Sequence, residues 1–566
     1  MNTTKLVCYT REPLEDAVYA EKLAYSMHLA VRTEDGYLPL NHNEGVLYVK
    51  ATSNPDGTLN AKSLKRPYLV SLGEKGFGVL AERTETNGVS EAEGGTLVWF
   101  EGKDLLALKE IGCVKELSQT PELTKAIEEY HAFYKDGKEI EKKAEYAGIF
   151  GCVPGNALEI SKELADQLVN RLTVPVNTGM ELPDECVASC AEDVMKIMAT
   201  AVYSDGSTAK KQVDWELSGM DFARPGVYEA TGRIRRPHFA FPLAINRADP
   251  CVGRWKDKYY FIATNDADNN HTLYIREADT LEGLVSAEEV LLLDSTTYPG
   301  IGGLLWAPEF HEIEGELYIF HAATPGEFFW EESHVMQLRH GGNPMCAADW
   351  SAPKRVVRMD GSELCEAGKV ITLDMTCFEH KGSYYAVWSQ RQFLPVDQGA
   401  WLYMAKVNPK EPWKLASEPV LLSKPEFGWA NNHTFVDEGP FALITEKKIF
   451  LTFSSAAVDS TYVVGLFTAD PDADLLDPDS WEKKNFPILT SRCVEGEYGT
   501  GHNAYVIDDN GDVWNTYHAR PGIDGPRSSG FRRVHFNAAG EPVLDVTEEK
   551  DVAEQFMTVR MSVRVK

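Results

Sequence analysis

Long hydrophobic runs are absent from this sequence of 566 residues. No stretch approaches the ~18 uninterrupted apolar residues of a transmembrane helix, so we expect no membrane insertion. The first residues also lack the apolar core and the small-residue cleavage site of a secretory signal, because residues 1–8 lead directly into the polar segment 10–12. These absences predict a cytoplasmic location.

Positive charge is scarce as well. Lysine and arginine number 56 against 86 aspartates and glutamates, which gives a formal net charge of −30 at pH 7. This field would repel a phosphate backbone, so a nucleic-acid partner is not expected. Aromatic residues make up 10% of the chain and provide flat surfaces for a core and for stacking on sugars.

The ten cysteines contain no CxxC pair. The two that lie nearest to one another in sequence, Cys186 and Cys190, are separated by three residues. In a chain without a secretory signal, scattered cysteines are typical of reduced, buried thiols rather than of disulfides or zinc ligands.

The chain is too long for one hydrophobic core, and at ~150 residues per domain it allows three or four domains. From about residue 240 onward, one sequence unit recurs. Each copy has a polar or aromatic residue, a gap of eight or nine residues, a turn rich in Gly, Asp and Lys, and an apolar, aromatic strand. The leading residues of the five copies are Asp249, Trp306, Asp374, Glu438 and His502.

Paired β-runs that recur every ~60 residues predict a radial architecture, in which each small sheet buries its faces against its neighbours. The predicted fold class is all-β, with a five-bladed β-propeller over residues 237–566. Inner strands of a propeller converge on its axis, so the leading residues should meet there. Three of them are carboxylates whose repulsion would separate their pKa values, which suits acid–base chemistry. The alternative is a generic all-β array in which these residues only form turns.

Local motifs at these positions resemble those of glycoside hydrolase family 43. In chain order they are Arg247-Ala248-Asp249-Pro250, Trp306-Ala307-Pro308-Glu309, Leu373-Asp374-Met375-Thr376 and Asp437-Glu438-Gly439-Pro440. The pair Gly501-His502-Asn503 and Tyr517-His518-Ala519-Arg520 is similar to the fifth blade of the family. The resemblance covers residues 237–545, and its motifs lie in register with the repeat.

The resemblance implies hydrolysis of α-L-arabinofuranosides or β-D-xylosides with inversion at the anomeric carbon. It implies that Asp249 is the general base, that Glu438 is the general acid, and that Asp374 tunes the pKa of the acid and orients it. An inverting pair needs room for water, so its carboxyl groups should lie ~6.5–9.5 Å apart. Arabinofuranose is favoured as the sugar, because the module layout resembles bacterial members with that activity. The missing secretion signal fits exo action on imported oligosaccharides derived from plant polysaccharides.

Further site residues are expected around these three. His502 resembles the axial histidine that holds a calcium ion or its waters in some members, although no cofactor is required and imidazole is an unusual ligand for so hard a cation. A hydrogen-bonded buried histidine is the alternative. Trp306 is expected to form a stacking wall, and Arg520 to donate to sugar hydroxyls unless it forms a surface salt bridge. Residues 328–330 would line a subsite or pack in a loop.

The sequence before the propeller begins with a segment similar to blade material, residues 1–115. Residues 67–81 parallel residues 250–263, but Arg66 stands where the parallel requires Asp249. An incomplete propeller-like module without catalytic carboxylates is therefore expected. Residues 116–170 are charged and helix-prone in places, and we expect them to bridge the modules.

Residues 171–235 combine short apolar runs with a tryptophan, a pattern typical of a small immunoglobulin-like β-sandwich. Its local motifs resemble bacterial Ig-like repeats. The expected strands are 172–176, 194–202, 213–215 and 225–232, although 194–202 also fits a short helix.

Alternatives to an arabinofuranosidase stay open at this point. The sequence does not separate it from a β-D-xylosidase or a galactan-active member of the same family. A retaining β-fructosidase-type enzyme would show a Glu-Cys pair at the acid, but Gly439 follows Glu438, and the only Glu-Cys pair is Glu185-Cys186 in the Ig-like segment. A non-catalytic sugar-binding propeller would not need all three carboxylates.

Overall fold

The computed structural model describes residues 3–14, 16–135, 138, 145–146 and 148–566. Strands predominate, and the chain divides into two compact units. One comprises Met1–Ala165 and Ala240–Phe531, and the other comprises Asp166–Phe239 and Arg532–Lys566. Among the described residues, no helix combines the length and the apolar character that crossing a membrane requires. The buried cysteines Cys8, Cys186, Cys251 and Cys377 are reduced thiols.

Five four-stranded sheets form a β-propeller in the first unit. Blades 1 and 2 comprise Arg247–Trp255, Lys258–Asn265, Thr272–Ala278, Val290–Asp294 and then Gly303–Ile313, Glu316–Thr324, Glu332–Gln337, Lys354–Arg355. Blades 3 and 4 comprise Val370–His380, Ser383–Gln392, Gly399–Val407, Val420–Ser423 and then Asp437–Ile444, Ile449–Ser455, Val463–Ala469, Trp481–Lys483. Blade 5 comprises Tyr498–Ile507, Val513–Arg520, Ser528–Arg533 and, as its outer strand, Ala244–Ile245. That outer strand precedes blade 1 in the chain, so it closes the ring.

Propeller strands are apolar along most of their length because neighbouring blades cover both faces of each sheet. In blade 4, Ile449–Ser455 is buried throughout. Between blades 1 and 2, Ile262 and Ile275 belong to one buried cluster with Leu305 and Ile319. Burying each such side chain stabilises the folded state by ~1.5–3 kcal/mol. The blade interfaces thus hold the inner strands in fixed positions around the axis.

Each inner strand is interrupted by a β-bulge. The first bulged residues, with φ between 45° and 54°, are Asp249, Ala307, Asp374, Gly439 and His502. Trp306 and Glu438 lie one residue before the bulges of blades 2 and 4, so the five predicted axial residues occupy two neighbouring positions rather than one. Left-handed backbone costs free energy in residues with a side chain, and its retention at one place in every blade is typical of a functional site.

An N-terminal module, residues 3–161 as described, precedes these blades. Its first sheet comprises Cys152–Ser161, Thr3–Arg11, His28–Thr33 and Gly36–Pro39, and its second comprises Ser63–Ser71, Phe77–Thr84, Thr96–Gly102 and Lys109–Cys113. Between the sheets in sequence is a hairpin of Thr52–Ser53 and Leu59–Asn60. The second sheet has its bulge at Arg66, with φ of 52°, the place that Asp249 holds in blade 1. Arg66 lies 3.6 Å from Glu82, so a cation occupies the place of the carboxylate.

A helix at Pro121–Lys135 covers the second sheet of this module. Thr120 begins it, because its Oγ1 accepts a hydrogen bond from the Leu123 amide at 3.2 Å. Leu123, Ala126 and Tyr130 recur at helical spacing and are buried in one cluster with the sheet.

The segment predicted to bridge the modules, residues 116–170, is only partly a bridge. It contributes Cys152–Ser161, which pairs along its length with Thr3–Arg11. Part of the predicted linker is therefore a strand of the N-terminal module, and the helix Lys162–Leu172 follows it.

The second unit is a small β-sandwich. One sheet comprises Asn177–Glu181, Ala199–Tyr203 and Thr208–Lys211, and the other comprises Glu185–Ala188, Thr558–Val565, Gly226–Ile234 and Val213–Glu216. The strand Thr558–Val565 comes from the end of the chain and lies inside the second sheet. The propeller predicted over 237–566 therefore extends too far, because residues 532–566 belong to this unit.

Two predicted strands of the sandwich also differ from the structure. Residues 194–202 divide into the short helix Ala191–Met195 and the strand Ala199–Tyr203. Cys190 caps that helix, and the carboxylate of Asp193 in its first turn accepts from the Ser189 and Cys190 amides at 2.8 and 3.3 Å. Residues 172–176 are not a strand, and the strand begins instead at residue 177.

Candidate active site

A pocket opens on the face of the propeller where the inner strands begin, and all five blades contribute to its walls. Its lining residues are Asp249, Asn270, Trp306, Phe328, Ile371, Leu373, Asp374, Arg391, Ala400, Val436, Glu438, Val458, His502 and Arg527. The fold thus brings together the five leading residues of the repeat. Arg520 is not among the lining residues.

Asp249 is 6% exposed and is surrounded by nitrogen donors. Within 3.3 Å of its Oδ1 lie His518 Nδ1 at 3.0 Å, Arg527 Nη1 at 3.2 Å and His502 Nδ1 at 3.3 Å. Burial alone would raise the pKa of this carboxyl, but the Arg527 guanidinium and the two histidines hold that pKa well below its usual range. Arg527 is itself fixed by contacts to both carboxylate oxygens of Asp266, at 2.8 and 2.9 Å. Asp249 is therefore ionised, the state that a general base requires.

Glu438 faces the same pocket from blade 4. Its Oε1 accepts a hydrogen bond from the Tyr462 hydroxyl at 2.7 Å. Burial raises the pKa of Glu438, although Tyr462 and His502 oppose the rise. Tyr462 is fully buried and stacks on His518, with ring centroids 5.3 Å apart. The residues that hold Glu438 and Asp249 in place are therefore packed on each other.

Asp374 is 4% exposed and contacts the backbone beside Glu438. Its Oδ2 accepts from the Gly439 amide at 3.0 Å. The pKa of Asp374 is raised to about 7, because burial and the negative charge of Glu438 together outweigh the opposing effect of His502. Near neutral pH, Asp374 and Glu438 therefore retain a proton between them, while Asp249 has none.

His502 connects the three carboxyl groups electrostatically. Burial lowers its pKa, but the neighbouring Asp249, Asp374 and Glu438 raise that pKa overall. Its amide donates to Ser454 Oγ at 2.7 Å, which fixes the bulge of blade 5. The three carboxyl groups thus favour the protonated imidazole beside the base.

The second ring nitrogen of His502, Nε2, is buried and has no hydrogen-bond partner among the described atoms. In its unprotonated form, this nitrogen is the atom of His502 that would coordinate a nearby cation. Across the described ranges, however, His502 belongs to no group of three His, Cys, Asp or Glu ligand atoms within 4.8 Å of one another. Calcium takes six to eight oxygen ligands, so these residues do not fit a protein-held calcium ion.

Aromatic side chains form one wall of the pocket. Trp306 Nε1 donates to Asn270 Oδ1 at 2.8 Å, and the indole meets the Phe328 ring edge-on at 6.1 Å between centroids. Phe328 and Phe329 both contact Phe393, at 5.5 and 5.1 Å between centroids. They nevertheless remain 39% and 47% exposed. Of the aromatic segment 328–330, Phe328 lines the pocket, and Phe328 and Phe329 pack on Phe393, while a role in a sugar subsite stays a prediction.

Arg520 and Arg527 have different surroundings. The Arg520 guanidinium donates to the Gly525 and Val458 carbonyl oxygens at 2.6 and 2.7 Å, so it joins two loops beside the pocket. Arg527 reaches Asp249 instead, and sequence reasoning missed it. The repeat held a signal for it, because Arg527 lies in the connection between the second and third strands, as do the pocket residues Asn270 and Val458 in blades 1 and 4.

Comparison with known proteins agrees with this arrangement. Residues 242–542, more than half of the chain, match the sequence profile of glycosyl hydrolases family 43. The chain belongs to glycoside hydrolase family 43. Residues 198–236 match the profile of the bacterial Ig-like domain, group 4, within the second unit.

Relatives and solved structures with sequence similarity to this family 43 member carry related names. The extracellular exo-α-(1→5)-L-arabinofuranosidase of Streptomyces chartreusis is 34% identical over 306 residues, which are 54% of this chain and 88% of that protein. The protein of the same name from Streptomyces avermitilis is 30% identical over 334 residues, 57% of this chain and 66% of that protein. A crystal structure of an α-L-arabinofuranosidase from Lactobacillus brevis is 30% identical, with a TM-score of 0.48, and the match covers 53% of this chain and 94% of that chain.

The predicted cytoplasmic location is wrong by this comparison. Both Streptomyces relatives are named as extracellular enzymes, which points to action outside the cell. The prediction rested on features that the sequence lacks, and such absences do not by themselves determine a compartment.

Proposed function

We propose that this family 43 enzyme is an exo-acting α-L-arabinofuranosidase that releases arabinofuranose, with inversion, from oligosaccharides derived from plant polysaccharides. The supporting observation is that one pocket holds an ionised carboxylate, Asp249, together with a carboxyl pair that retains a proton, Glu438 and Asp374. The names of the relatives support the choice of sugar.

The base step uses Asp249 and one water molecule. Its Oδ1 has contacts to three nitrogen atoms, so Oδ2 is the oxygen that accepts a proton from water. As that proton moves to Asp249, the water oxygen forms a bond to the anomeric carbon. The bond between that carbon and the leaving oxygen breaks on the opposite side of the sugar, which inverts the configuration.

The acid step uses Glu438. Its Oε1 is held by the Tyr462 hydroxyl, so Oε2 is the oxygen that carries the proton to the leaving oxygen. Asp374 and Glu438 share one negative charge, so Glu438 holds the proton when Asp374 is ionised, and the contact of Asp374 with the Gly439 amide orients the acid. After the reaction, Glu438 is ionised and Asp249 is protonated, and proton exchange with solvent restores both.

The reaction as proposed requires no resident metal ion. The described residues around His502 do not supply the oxygen ligands that calcium prefers, and proton transfer at Asp249 and Glu438 uses their own carboxyl groups. A positive imidazole at His502 already supplies a charge near the carboxyl groups.

A panel of aryl glycosides tests the proposal with purified full-length enzyme. We expect para-nitrophenyl α-L-arabinofuranoside to be hydrolysed much faster than the β-D-xyloside or the galactosides. With an α-1,5-linked arabino-oligosaccharide, NMR in the first turnovers should show the β-anomer of free arabinose. The matched variant Asp249→Asn should lose ~10²–10⁴-fold in kcat while its thermal unfolding is unchanged.

Two other outcomes would contradict parts of the proposal. Faster hydrolysis of the xyloside or of a galactoside would reassign the substrate within the family. An α-anomer as the first product would contradict inversion, and near-full activity of Asp249→Asn would show that the base lies elsewhere.

A further inference from the structure

Hydrogen bonds between the N-terminal module and the propeller reach two kinds of connection on the propeller side. They fall on Gln398, Glu426, Asn431, Ser460, Asn485 and Thr490. Each of these residues lies either between the second and third strands of a blade or between an outer strand and the next inner strand.

These connections lie on the pocket side of the propeller. In each blade the inner strand starts at the pocket face, so the second strand ends there, and the third strand starts there. The pocket residues Asn270, Phe328, Val458 and Arg527 all come from second-to-third connections, which agrees with this placement. The module therefore covers part of the face on which the pocket opens, over blades 3 and 4 and the connection into blade 5.

Two of the contacts lie next to pocket-lining residues. Ser460 Oγ donates to the Ala17 carbonyl oxygen at 2.9 Å, and Ser460 is two residues from Val458. Gln398 Nε2 donates to the Asp56 carbonyl oxygen at 3.3 Å, and Gln398 is two residues from Ala400. Asp56 belongs to the turn of the hairpin Thr52–Asn60, so this turn stands at the edge of the pocket wall.

Buried polar contacts fix the module in this position. Lys22 Nζ donates to the carbonyl and side-chain oxygens of Asn431 at 2.8 and 2.6 Å. Thr490 Oγ1 donates to the carboxylate of Glu44 at 3.1 Å, and both residues are buried. A contact surface with buried ionisable groups is held in one geometry, because separation would leave those groups unpaired in both partners.

We propose that the hairpin turn of the N-terminal module, residues 53–58, forms the rim of the pocket on the side of blades 3 and 4 and contacts the leaving-group portion of an oligosaccharide. This inference rests on the proposed function. The side chains of Asn54 and Asp56 are exposed at the turn and also brace it. Asn54 Nδ2 donates to Thr58 Oγ1 at 2.9 Å, and Asp56 Oδ1 accepts from the Thr58 amide and hydroxyl at 3.0 and 2.7 Å. The second oxygen of each side chain, Asn54 Oδ1 and Asp56 Oδ2, would accept from sugar hydroxyls. Phe393 belongs to the aromatic wall and lies at the start of the connection that ends at Gln398. The oligosaccharide would therefore pass between that wall and the turn.

The test compares leaving groups of different length on the full-length enzyme. The variant Asn54→Ala/Asp56→Ala removes both polar groups from the turn, and Glu34→Ala/Asp35→Ala, in an exposed turn of the same module, is the matched control. We measure kcat/KM for α-1,5-linked arabinotriose and for para-nitrophenyl α-L-arabinofuranoside. The ratio of the two should fall about 3- to 20-fold in the hairpin variant, mainly through KM, since one or two hydrogen bonds are lost. It should not change in the control.

A second variant distinguishes the loss of the contact from a local folding defect in the turn. Gln398→Ala removes the contact from the propeller side and leaves the turn sequence intact, and it should lower the same ratio in the same direction. An unchanged ratio in both variants, with unchanged thermal unfolding, would overturn the inference. If the parent enzyme instead prefers xylosides, only the proposed substrate fails, and the ratio measured with xylotriose and the aryl xyloside decides the role of the turn.

Discussion

At the level of single residues, carboxyl groups of the same chemical type have opposite protonation states in the site. Asp249 and Asp374 are both aspartates at the same bulge position and are both almost fully buried. Burial alone would raise the pKa of both side chains, but Asp249 has the Arg527 guanidinium 3.2 Å from its carboxylate. The difference between a base and a proton-retaining group therefore comes from Arg527 and its neighbours rather than from the carboxyl groups themselves.

Replacing Arg527 by alanine tests this directly. Without the guanidinium, the pKa of Asp249 should rise, so more of the base is protonated in mildly acidic solution. The acidic limb of the kcat/KM profile should therefore move to higher pH. Arg520→Ala is the matched control, because the hydrogen bonds of Arg520 go to the Gly525 and Val458 carbonyl oxygens rather than to Asp249, so this change should leave the acidic limb in place. Identical profiles for the two variants would show that Arg527 does not set the pKa of the base.

The general acid is tested by the leaving group. Glu438→Gln should lose ~10²–10⁴-fold on arabino-oligosaccharides, whose alkoxide leaving groups need protonation. It should lose much less on an aryl glycoside with an acidic phenol. Because burial raises the pKa of Glu438, the parent enzyme loses activity as pH rises through that pKa, and this basic limb should flatten in the variant on the aryl substrate. Equal losses on both substrates would place the acid elsewhere.

Metal dependence is tested by chelation. The ligand atoms near His502 do not form a calcium site, so dialysis against a chelator should leave kcat and the thermal unfolding temperature unchanged. The control is re-addition of calcium to the dialysed enzyme, which should also change neither value. A loss of activity that calcium restores would contradict the proposal and would assign a cation to the unpartnered Nε2 of His502.

At the level of elements, the β-bulges of the inner strands aim the catalytic side chains. Gly439 has φ of 53°, and a Cβ at this residue would lie 3.0 Å from His502 Nδ1. Its amide also donates to Asp374. The bulges of the other blades hold the same backbone angle with residues other than glycine, so it is the space beside the imidazole that favours a glycine in blade 4.

Gly439→Ala should accordingly affect both stability and activity. The matched control is Gly382→Ala in the turn of blade 3, where φ is 73° and an added Cβ would have no atom within 4 Å. Both variants should lower the free energy of unfolding by ~1–2 kcal/mol, the cost of left-handed backbone. Only Gly439→Ala should also lower kcat, because it displaces His502 and the donor to Asp374. Equal kcat in the two variants would contradict this role.

The sequence predicted the repeat, the propeller and the three carboxylates, because short motifs and strand patterns recur locally in every blade. It did not show that Glu438 and Trp306 precede their bulges by one residue, since a bulge depends on pairing with the next strand. It also selected Arg520 over Arg527, because the first lies at a predictable strand end and the second in an irregular loop. The strand at the end of the chain, Thr558–Val565, was assigned to the wrong unit for a related reason: its partners are more than 300 residues away in sequence.

At the level of the whole molecule, the N-terminal module and the propeller share one compact unit. The module resembles blade material in its pairing and in the bulge at Arg66, yet it has no carboxylate at that bulge. Its buried contacts to Asn431 and Thr490 make it part of the pocket face rather than a separate binding domain.

Two truncations test whether the module is part of the pocket face or a separate domain. Their effects on solubility should depend on where the chain is cut. Deleting residues 1–115 removes Thr3–Arg11 and the second sheet but leaves their partners, the strand Cys152–Ser161 and the helix Pro121–Lys135. An unpaired strand edge and an uncovered apolar helix face promote association, so this variant should aggregate. Deleting residues 1–161 removes those partners as well and should leave a larger soluble fraction, with a lower thermal unfolding temperature because Asn431 and Thr490 lose buried contacts. Light scattering and the soluble fraction after expression measure the difference. A soluble and fully active enzyme after deletion of residues 1–115 would show that the module is an independent passenger.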